Sequence, residues 1–481
     1  LRQSTKKYFR LAGGKAEKET EMAPQNVFFI GLNEFNLSKL KSIRNAQTYA
    51  FHGLLDPSEV LDTYDFPIAD MLGRAEKQLR GWQQDTGGTI DGIGAYMDFP
   101  VSTMLPLLCA KFGKRAPSLE GMLKCEHKYW SRLVQREVIP EHIPYFQPFD
   151  PFEDDVFERI ELQLPFWIKP IKATGSLLGF RIESREDFEQ AIPQIRDQIH
   201  LISEPFNYIL GQADLPREVV DVQGHFCLAE SIIGGRQCTL EGYSFAGRVE
   251  AIGIIDSIRY ENGTSFFRYE YPSTLPDVIQ EHMIAISKKV ITHIGFDNSA
   301  FNIEFYWNRE QDKVWLLEIN TRVSQSHSDI FEKVDGQSNQ QLTVQVACGE
   351  QPDFPHSQGE FPCAAKFFWR IFSGDAEVIR VPTQEEIYKV QERIAGTIIQ
   401  PQVTTGMKLS DLLEQDSYSY AICHLFIGGE HQKDLLDKYL LCQEMLPFEF
   451  KPISSHSCAQ RTSTDSFVNL EHRNLKRSTR P

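Results

Sequence analysis

The chain has 481 residues, 41% of them hydrophobic and 11% aromatic with 33 Phe; at roughly 100–200 residues per domain that allows about three domains with a real core. A formal net charge of −16 disfavours nucleic acid and anionic lipid as general partners, while a local basic pocket can still hold a phosphate. Nine scattered cysteines without a CxxC pair or a Cys/His ladder point to reduced thiols in a cytoplasmic protein, and no apolar run approaches the roughly 20 residues of a membrane span.

Residues 1–25 are basic and then acidic, without an apolar signal core. Met22 stands just before the first apolar strand, so 1–21 are expected to be an upstream extension or a wrongly assigned start, dispensable for folding and activity, with a short targeting segment as the alternative. NVFFIGLN (26–33) reads as a buried strand and a loop. YAFHGLL (49–55), FPIADML (66–72), DGIGAYMD (91–98) and a helix over 101–112 continue a strand–helix alternation, which predicts a small parallel sheet covered by helices. Gly31 turns the chain after the first strand, but no GxGxxG follows, so dinucleotide binding is not inferred. Residues 119–137 predict a helix, ended by the two prolines of VIPEHIPYF. LPFWIKPI (164–171) is a short apolar strand that carries Lys169 into the glycine-bearing loop KATGSLLG and a second strand. A helix over 184–195 has Ser184 as its cap. Strands over 227–235, 238–245 and 248–257 are separated by tight turns, and a helix covers 276–294. From about residue 360 the pattern is again β-rich, followed by a helix over 431–445. The polar, basic residues 452–481 are expected to be disordered.

The segment 301–320, FNIEFYW-NREQDK-VWLLEIN, reads as a β-hairpin. A turn at 308–313 sets 304 opposite 318 and 302 opposite 320, and alternation places Glu318, Asn320 and Arg322 on one face. Directly opposed like charges are unfavourable in a sheet. Two carboxylates with an amide oxygen are, however, what a hard divalent cation takes. A solvated outer face is the plainer alternative, and the apolar, aromatic flanks argue against it. Lys169 precedes Thr174, Gly175, Ser176 and Gly179, a mobile point charge beside a loop whose N–H groups can approach phosphate. Alone, that pattern equally fits a snorkelling lysine before a turn, and Lys128 in CEHKYW is weaker still.

Taken in this order, the parts resemble the ATP-grasp superfamily over roughly residues 26–450, most specifically in the E-x-N-x-R ending of the hairpin. FWIKPIKATGSLLGFRI resembles its phosphate-covering lid, AESIIGGRQCTLEGYSF its adenine hinge, and FEKVDGQSNQQLTVQVACGEQP its closing helix. The resemblance implies an α/β (α+β) ATP-grasp fold: an N-terminal Rossmann-like parallel-sheet domain (26–120), a lid subdomain (121–235), and a metal-site and β-rich C-terminal subdomain (236–451). It further implies that Lys128 and Lys169, with Gly175 and Ser176, hold the ATP phosphates. Glu230, Ser231, Ile232 and Ile233 would face adenine, with Gln237 near the ribose. Glu304, Glu318 and Asn320 would bind one or two Mg²⁺ (or Mn²⁺), and Arg322 would stabilise the transferred phosphoryl group.

The implied reaction phosphorylates a carboxylate to an acyl phosphate and joins it to an amine. Residues 362–450 resemble the cap of L-amino-acid ligases and related carboxylate–amine ligases, which implies amino acids as the carboxylate and amine. Neither nucleic acid nor a membrane is implied, and a homodimer is. Ser324, Ser326 and His327 would reach the acyl substrate, although a capped loop histidine is an equally good reading of His327. Biotin carboxylase is the more distant resemblance. Its base is a glutamate where this chain has Ser326, and ATGSLLG has fewer glycines than its lid, so carboxylation ranks below ligation. A non-catalytic nucleotide-binding descendant ranks lower again, because no member of the constellation is missing.

Overall fold

The computed structural model describes residues 23–61, 67–173, 177–261, 263, 265–412 and 419–453. The expected extension at 1–21, the tail beyond 453, and Thr174, Gly175 and Ser176 lie outside the described residues. Among the described residues, every cysteine is a free thiol and no helix is long and apolar enough to cross a membrane.

The N-terminal strands β1 (Gln25–Ile30), β2 (Tyr49–Leu54) and β3 (Gly92–Gly94) form a parallel sheet of order β2-β1-β3. Val27 to Ile30 of β1 are all buried, as a strand covered on both faces requires. Helix Gln340–Cys348, far along the chain, packs on β1 and β3. Gly92 permits that approach, since a Cβ there would lie 3.1 Å from the Ala347 backbone.

A second, antiparallel sheet joins β4 (Phe146–Phe149), β5 (Phe166–Pro170), β6 (Phe180–Ile182) and β7 (Cys227–Ser231) in the order β4-β7-β5-β6. Helix Arg185–Gln198 closes over it, with Ser184 and Asp187 forming a reciprocal capping box. Its small core includes Phe166, Ile168, Phe188 and Ile195.

The third sheet has eight strands: β8 (Arg236–Phe245), β9 (Arg248–Arg259), β10 (Phe266–Tyr271), β11 (Ser299–Asn308), β12 (Lys313–Asn320), β13 (Cys363–Ile371), β15 (Thr397–Pro401) and β16 (Tyr420–Gly429). Its order is β12-β11-β8-β9-β10-β13-β16-β15, and a two-stranded ribbon of β14 (Ala376–Arg380) and β17 (Glu449–Pro452) lies apart from it. The β11–β12 hairpin has the expected register, Glu304 opposite Glu318 and Asn302 opposite Asn320.

The helix expected over 119–137 is two helices, Leu119–Glu126 and Lys128–Val138. His127 breaks it: its Nδ1 accepts the Trp130 N–H at 3.2 Å, and its Nε2 donates to the Val222 carbonyl at 2.8 Å. A side chain that caps the second helix cannot also continue the first in helical geometry. The break makes Lys128 the first residue of the second helix, where its N–H donates to the Ile171 carbonyl at 3.1 Å.

Candidate active site

The end of β5, the start of helix Lys128–Val138, the end of β7 and the middle of β12 converge on one narrow cleft. Lys128, Arg132, Lys169, Glu230 and Glu318 line it. Lys128 Nζ lies 2.9 Å from Glu318 Oε1 and donates to the Ala173 carbonyl at 3.0 Å. Lys169 Nζ lies 2.5 Å from Glu230 Oε2. Loss of hydration lowers the pKa of Lys169, partly offset by Glu230. Loss of hydration also works against the Glu318 charge, but Lys128 and then Lys169 hold its carboxyl below the ordinary range.

Glu230 is buried, and its carboxylate is shared between Lys169 and Arg132, whose Nε donates to Oε1 at 2.6 Å. Burial would raise the Glu230 pKa, yet Arg132 and Lys169 bring it down to about 2. The Ser231 N–H and hydroxyl are both engaged by Tyr145, through its carbonyl at 2.9 Å and its N–H at 3.0 Å. Of the residues expected to face adenine, Ile232 and Ile233 are therefore the ones not tied into these contacts. Gln237, expected near the ribose, makes its contacts within the protein. Its Nε2 donates to Glu304 at 2.9 Å and its Oε1 accepts from Arg259 at 2.7 Å, bridging the two.

The hairpin carries the acidic part of the site. Asn302 Nδ2 donates to the Arg322 carbonyl at 2.9 Å, so Asn302 Oδ1 is its remaining acceptor. Asn320 Nδ2 fills that acceptor at 2.9 Å and lies 3.5 Å from Glu304 Oε1. This amide chain fixes the orientation of Asn320 and turns its Oδ1 away from Asn302. Burial and the Glu318 charge push the Glu304 pKa up. Like charges so placed are a pairing that a divalent cation relieves, and Asn320 Oδ1 supplies a neutral oxygen beside them. The donor set thus fits Mg²⁺ or Mn²⁺. Among the described residues no cluster of three His, Cys, Asp or Glu side chains is arranged for a metal, so an all-side-chain cage of that type is not what the hairpin offers.

Arg322 points the other way, toward the N-terminal sheet, with Nη2 3.2 Å from Asp98 Oδ2. Asp98 also lies 3.5 Å from Lys172 Nζ, which pairs with Glu126, and Glu126 accepts from the Thr321 hydroxyl at 2.6 Å. Burial works against each charge, but Lys172 and Arg322 hold the Asp98 pKa far down, and Asp98 raises that of Arg322. Sequence reasoning passed over Asp98, Lys172 and Arg132. Signals existed: Asp98 follows a parallel strand at its carboxyl end, where ligands gather in such sheets. Arg132 is four residues after Lys128 on one helix face.

Past Arg322, the Ser324 N–H donates to Glu241 Oε1 at 2.9 Å and His327 Nδ1 lies 2.8 Å from the same oxygen. Ser326 Oγ accepts from Lys366 at 2.8 Å. Glu241 is fully buried on β8, opposite Asn302 in the ladder, and sequence reasoning missed it. A glutamate alternating with Gln237 and Thr239 in an apolar strand was the available signal.

The ATP-grasp domain family matches residues 162–328. No curated protein sequence matches the chain. Among solved structures, the fold is similar to an L-amino acid ligase from Bacillus licheniformis, with a TM-score of 0.64, 14% identity, and coverage of 89% of this chain and 100% of that one. It is also similar to a phosphoribosylglycinamide synthetase from Anaerococcus prevotii (TM-score 0.59, 14% identity, 89% and 99% covered). A biotin carboxylase from Campylobacter jejuni gives a TM-score of 0.60 at 13% identity, with 88% and 92% covered. Residues 162–328 are an ATP-grasp domain, and the chain as a whole has the ATP-grasp fold.

Proposed function

We propose that the chain is an ATP-dependent carboxylate–amine ligase, which phosphorylates a small carboxylate, such as an amino acid, and joins it to an amine with release of ADP and phosphate. The observation that carries this reading is the hairpin's facing Glu304 and Glu318, with Asn320 beside them, next to the cleft that Glu318 lines with Lys128 and Lys169. A Mg²⁺ or Mn²⁺ ion held by Glu304, Glu318 and Asn320 would neutralise charge on the phosphates. Lys128 and Lys169 contribute two ammonium groups to the same phosphates, each now held by a carboxylate that an arriving anion can replace. Arg322 supplies a permanently charged planar donor where the acyl phosphate forms. Gly175 and Ser176 are proposed to cover the phosphates, and Ile232 and Ile233 to border the base. The subdomain limits near residues 120, 235 and 451 belong to the same proposal.

Carboxylation is a weaker reading because position 326 is a hydroxyl bonded to Lys366. The test is phosphate release from Mg-ATP with amino acids singly and in pairs, and with bicarbonate plus biotin separately. Release that requires an acid and an amine together supports the ligase. Release only with bicarbonate and biotin overturns it.

A further inference from the structure

His327 is almost fully buried, yet its two ring nitrogens are treated differently. Nδ1 faces Glu241 Oε1 at 2.8 Å. An ionised carboxylate only accepts, so the shared proton belongs to Nδ1 and the neutral ring presents Nε2 as an acceptor. Nε2 has no hydrogen-bond partner among the described residues, and it is not among the buried polar atoms left unpaired. Glu241 is the stranger half of the pair. It is fully buried, one oxygen serves both the Ser324 N–H and His327, and Oε2 has no partner among the described residues.

A buried carboxylate with an unsatisfied oxygen is a poor way to hold a loop. It is a good way to fix one imidazole tautomer and orient the ring. The pair is also well placed. Glu241 lies opposite Asn302 in the ladder, and Asn302 carries both Asn320 and the Arg322 carbonyl. On the other side, the Tyr269 ring meets His327 edge-on at 5.1 Å, and the Tyr269 pKa is raised by burial and then by the charge of Glu304. His327 thus sits on the segment that follows Arg322, joined through Glu241 to the strand beside the hairpin.

We infer that His327, oriented by Glu241, is the base of the second half-reaction. This rests on the ligase reading. An α-ammonium group loses its proton at about pH 8, so at neutral pH the amine arrives largely protonated and something must take that proton. The nitrogen attacks the acyl carbon, the C–N bond forms, and the C–O bond to the phosphoryl group breaks. Phosphate leaves with the electron pair. Two protons leave the nitrogen: His327 Nε2 takes the ammonium proton before the attack and releases it to solvent, and the proton shed as the amide forms passes through Nε2 to the departing phosphate. Phosphorylation of the carboxylate needs no base, because a carboxylate is already a nucleophile.

Hydroxylamine separates the two halves, since it is a neutral amine at neutral pH and traps acyl phosphates without a catalyst. The experiment gives wild type, His327→Gln and Glu241→Gln Mg-ATP and a panel of amino acids, with either hydroxylamine or a second amino acid as the amine. Glutamine at 327 keeps a donor for Glu241. Expected for His327→Gln is hydroxamate formation within a few-fold of wild type and amide formation reduced ~100-fold or more. Glu241→Gln, which keeps an acceptor but removes the charge, should show the same bias with a smaller loss. Equal loss of hydroxamate and amide would assign His327 to folding or to acid activation and overturn the inference, as would amide formation that survives intact. Absence of hydroxamate from wild type across the panel would instead overturn the ligase reading beneath it.

Discussion

Replacing Arg132 with Met should destabilise the protein by about 3–5 kcal/mol, the usual cost of removing one partner from a buried ion pair. Arg132 is buried and every part of its guanidinium is used. Nε donates to Glu230 at 2.6 Å, Nη1 to Gln135 at 2.6 Å, and Nη2 to the Leu317 carbonyl at 2.7 Å. The Glu230 shift gives an independent magnitude. A fall from an ordinary 4.5 to about 2 corresponds to about 3 kcal/mol shared between Arg132 and Lys169. Because the folded pKa is depressed, that contribution is present above about pH 4.5 and disappears as the pH falls through 2. Methionine fills similar volume but leaves Glu230 to Lys169 alone and orphans the Leu317 carbonyl at the back of the cleft. Lys169 is then held more tightly and is less available to phosphate, so ATP affinity should fall as well. Urea unfolding at pH 7 measures the first effect and nucleotide titration the second. A loss under ~1 kcal/mol would put Arg132 in the class of exposed ion pairs and refute the claim that it anchors the cleft.

Glu318→Gln should abolish ATP turnover while leaving the thermal transition in place, because it removes a proposed cation ligand from a partly exposed position; near-normal activity in that variant would sink the site assignment. Gly235→Ala tests the junction between β7 and β8. Gly235 has φ 133°, and an added Cβ would lie 2.3 Å from the Trp307 carbonyl oxygen. A backbone so placed cannot accept a side chain without moving, and a loss of ~1–3 kcal/mol is expected. Urea unfolding unchanged from wild type would show that this junction yields easily.

The hairpin was legible because its information is local. Once the turn is placed, the period of two fixes Glu304 opposite Glu318 and puts both on one face. The helix at 101–112 was legible for a similar reason, ending at Gly113 with φ 61°. What could not be read is what depends on distant chain. The break at His127 needs the Val222 carbonyl, 95 residues away, to receive one ring nitrogen while the other caps a helix. Glu241 becomes part of the site only because β8 pairs with β11, bringing Gln237 and Glu241 beside the hairpin. No local pattern states that order. Gln237 and Glu230 were expected to face ribose and adenine, but their partners Arg259 and Arg132 come from other strands and helices, and the partners decide whether a polar side chain faces ligand or protein.

Asp98 carries this argument across the domain boundary. The N-terminal sheet reaches the site through the segment after β3, where the Tyr96 hydroxyl donates to the Gly31 carbonyl at 2.5 Å and fixes the approach. Two residues later Asp98 meets Arg322 and Lys172. Lys172 keeps Glu126 if Asp98 is neutralised, but Arg322 has no other carboxylate among its ion pairs here. Asp98→Asn therefore removes the charge that aims Arg322 and little else. Arg322 and Lys172 hold the Asp98 charge against burial, so a stability loss of about 1–2 kcal/mol is expected. Catalysis should suffer more, since misplacing one positioned group by an ångström can cost up to ~100-fold. The loss should fall on kcat, with the KM for ATP nearly unchanged, because Lys128 and Lys169, the residues proposed to hold the phosphates, stand on another part of the fold. Steady-state kinetics beside a thermal melt separates these outcomes. A variant with wild-type kcat would mean that Arg322 is aimed by the hairpin alone and that the N-terminal sheet contributes only packing.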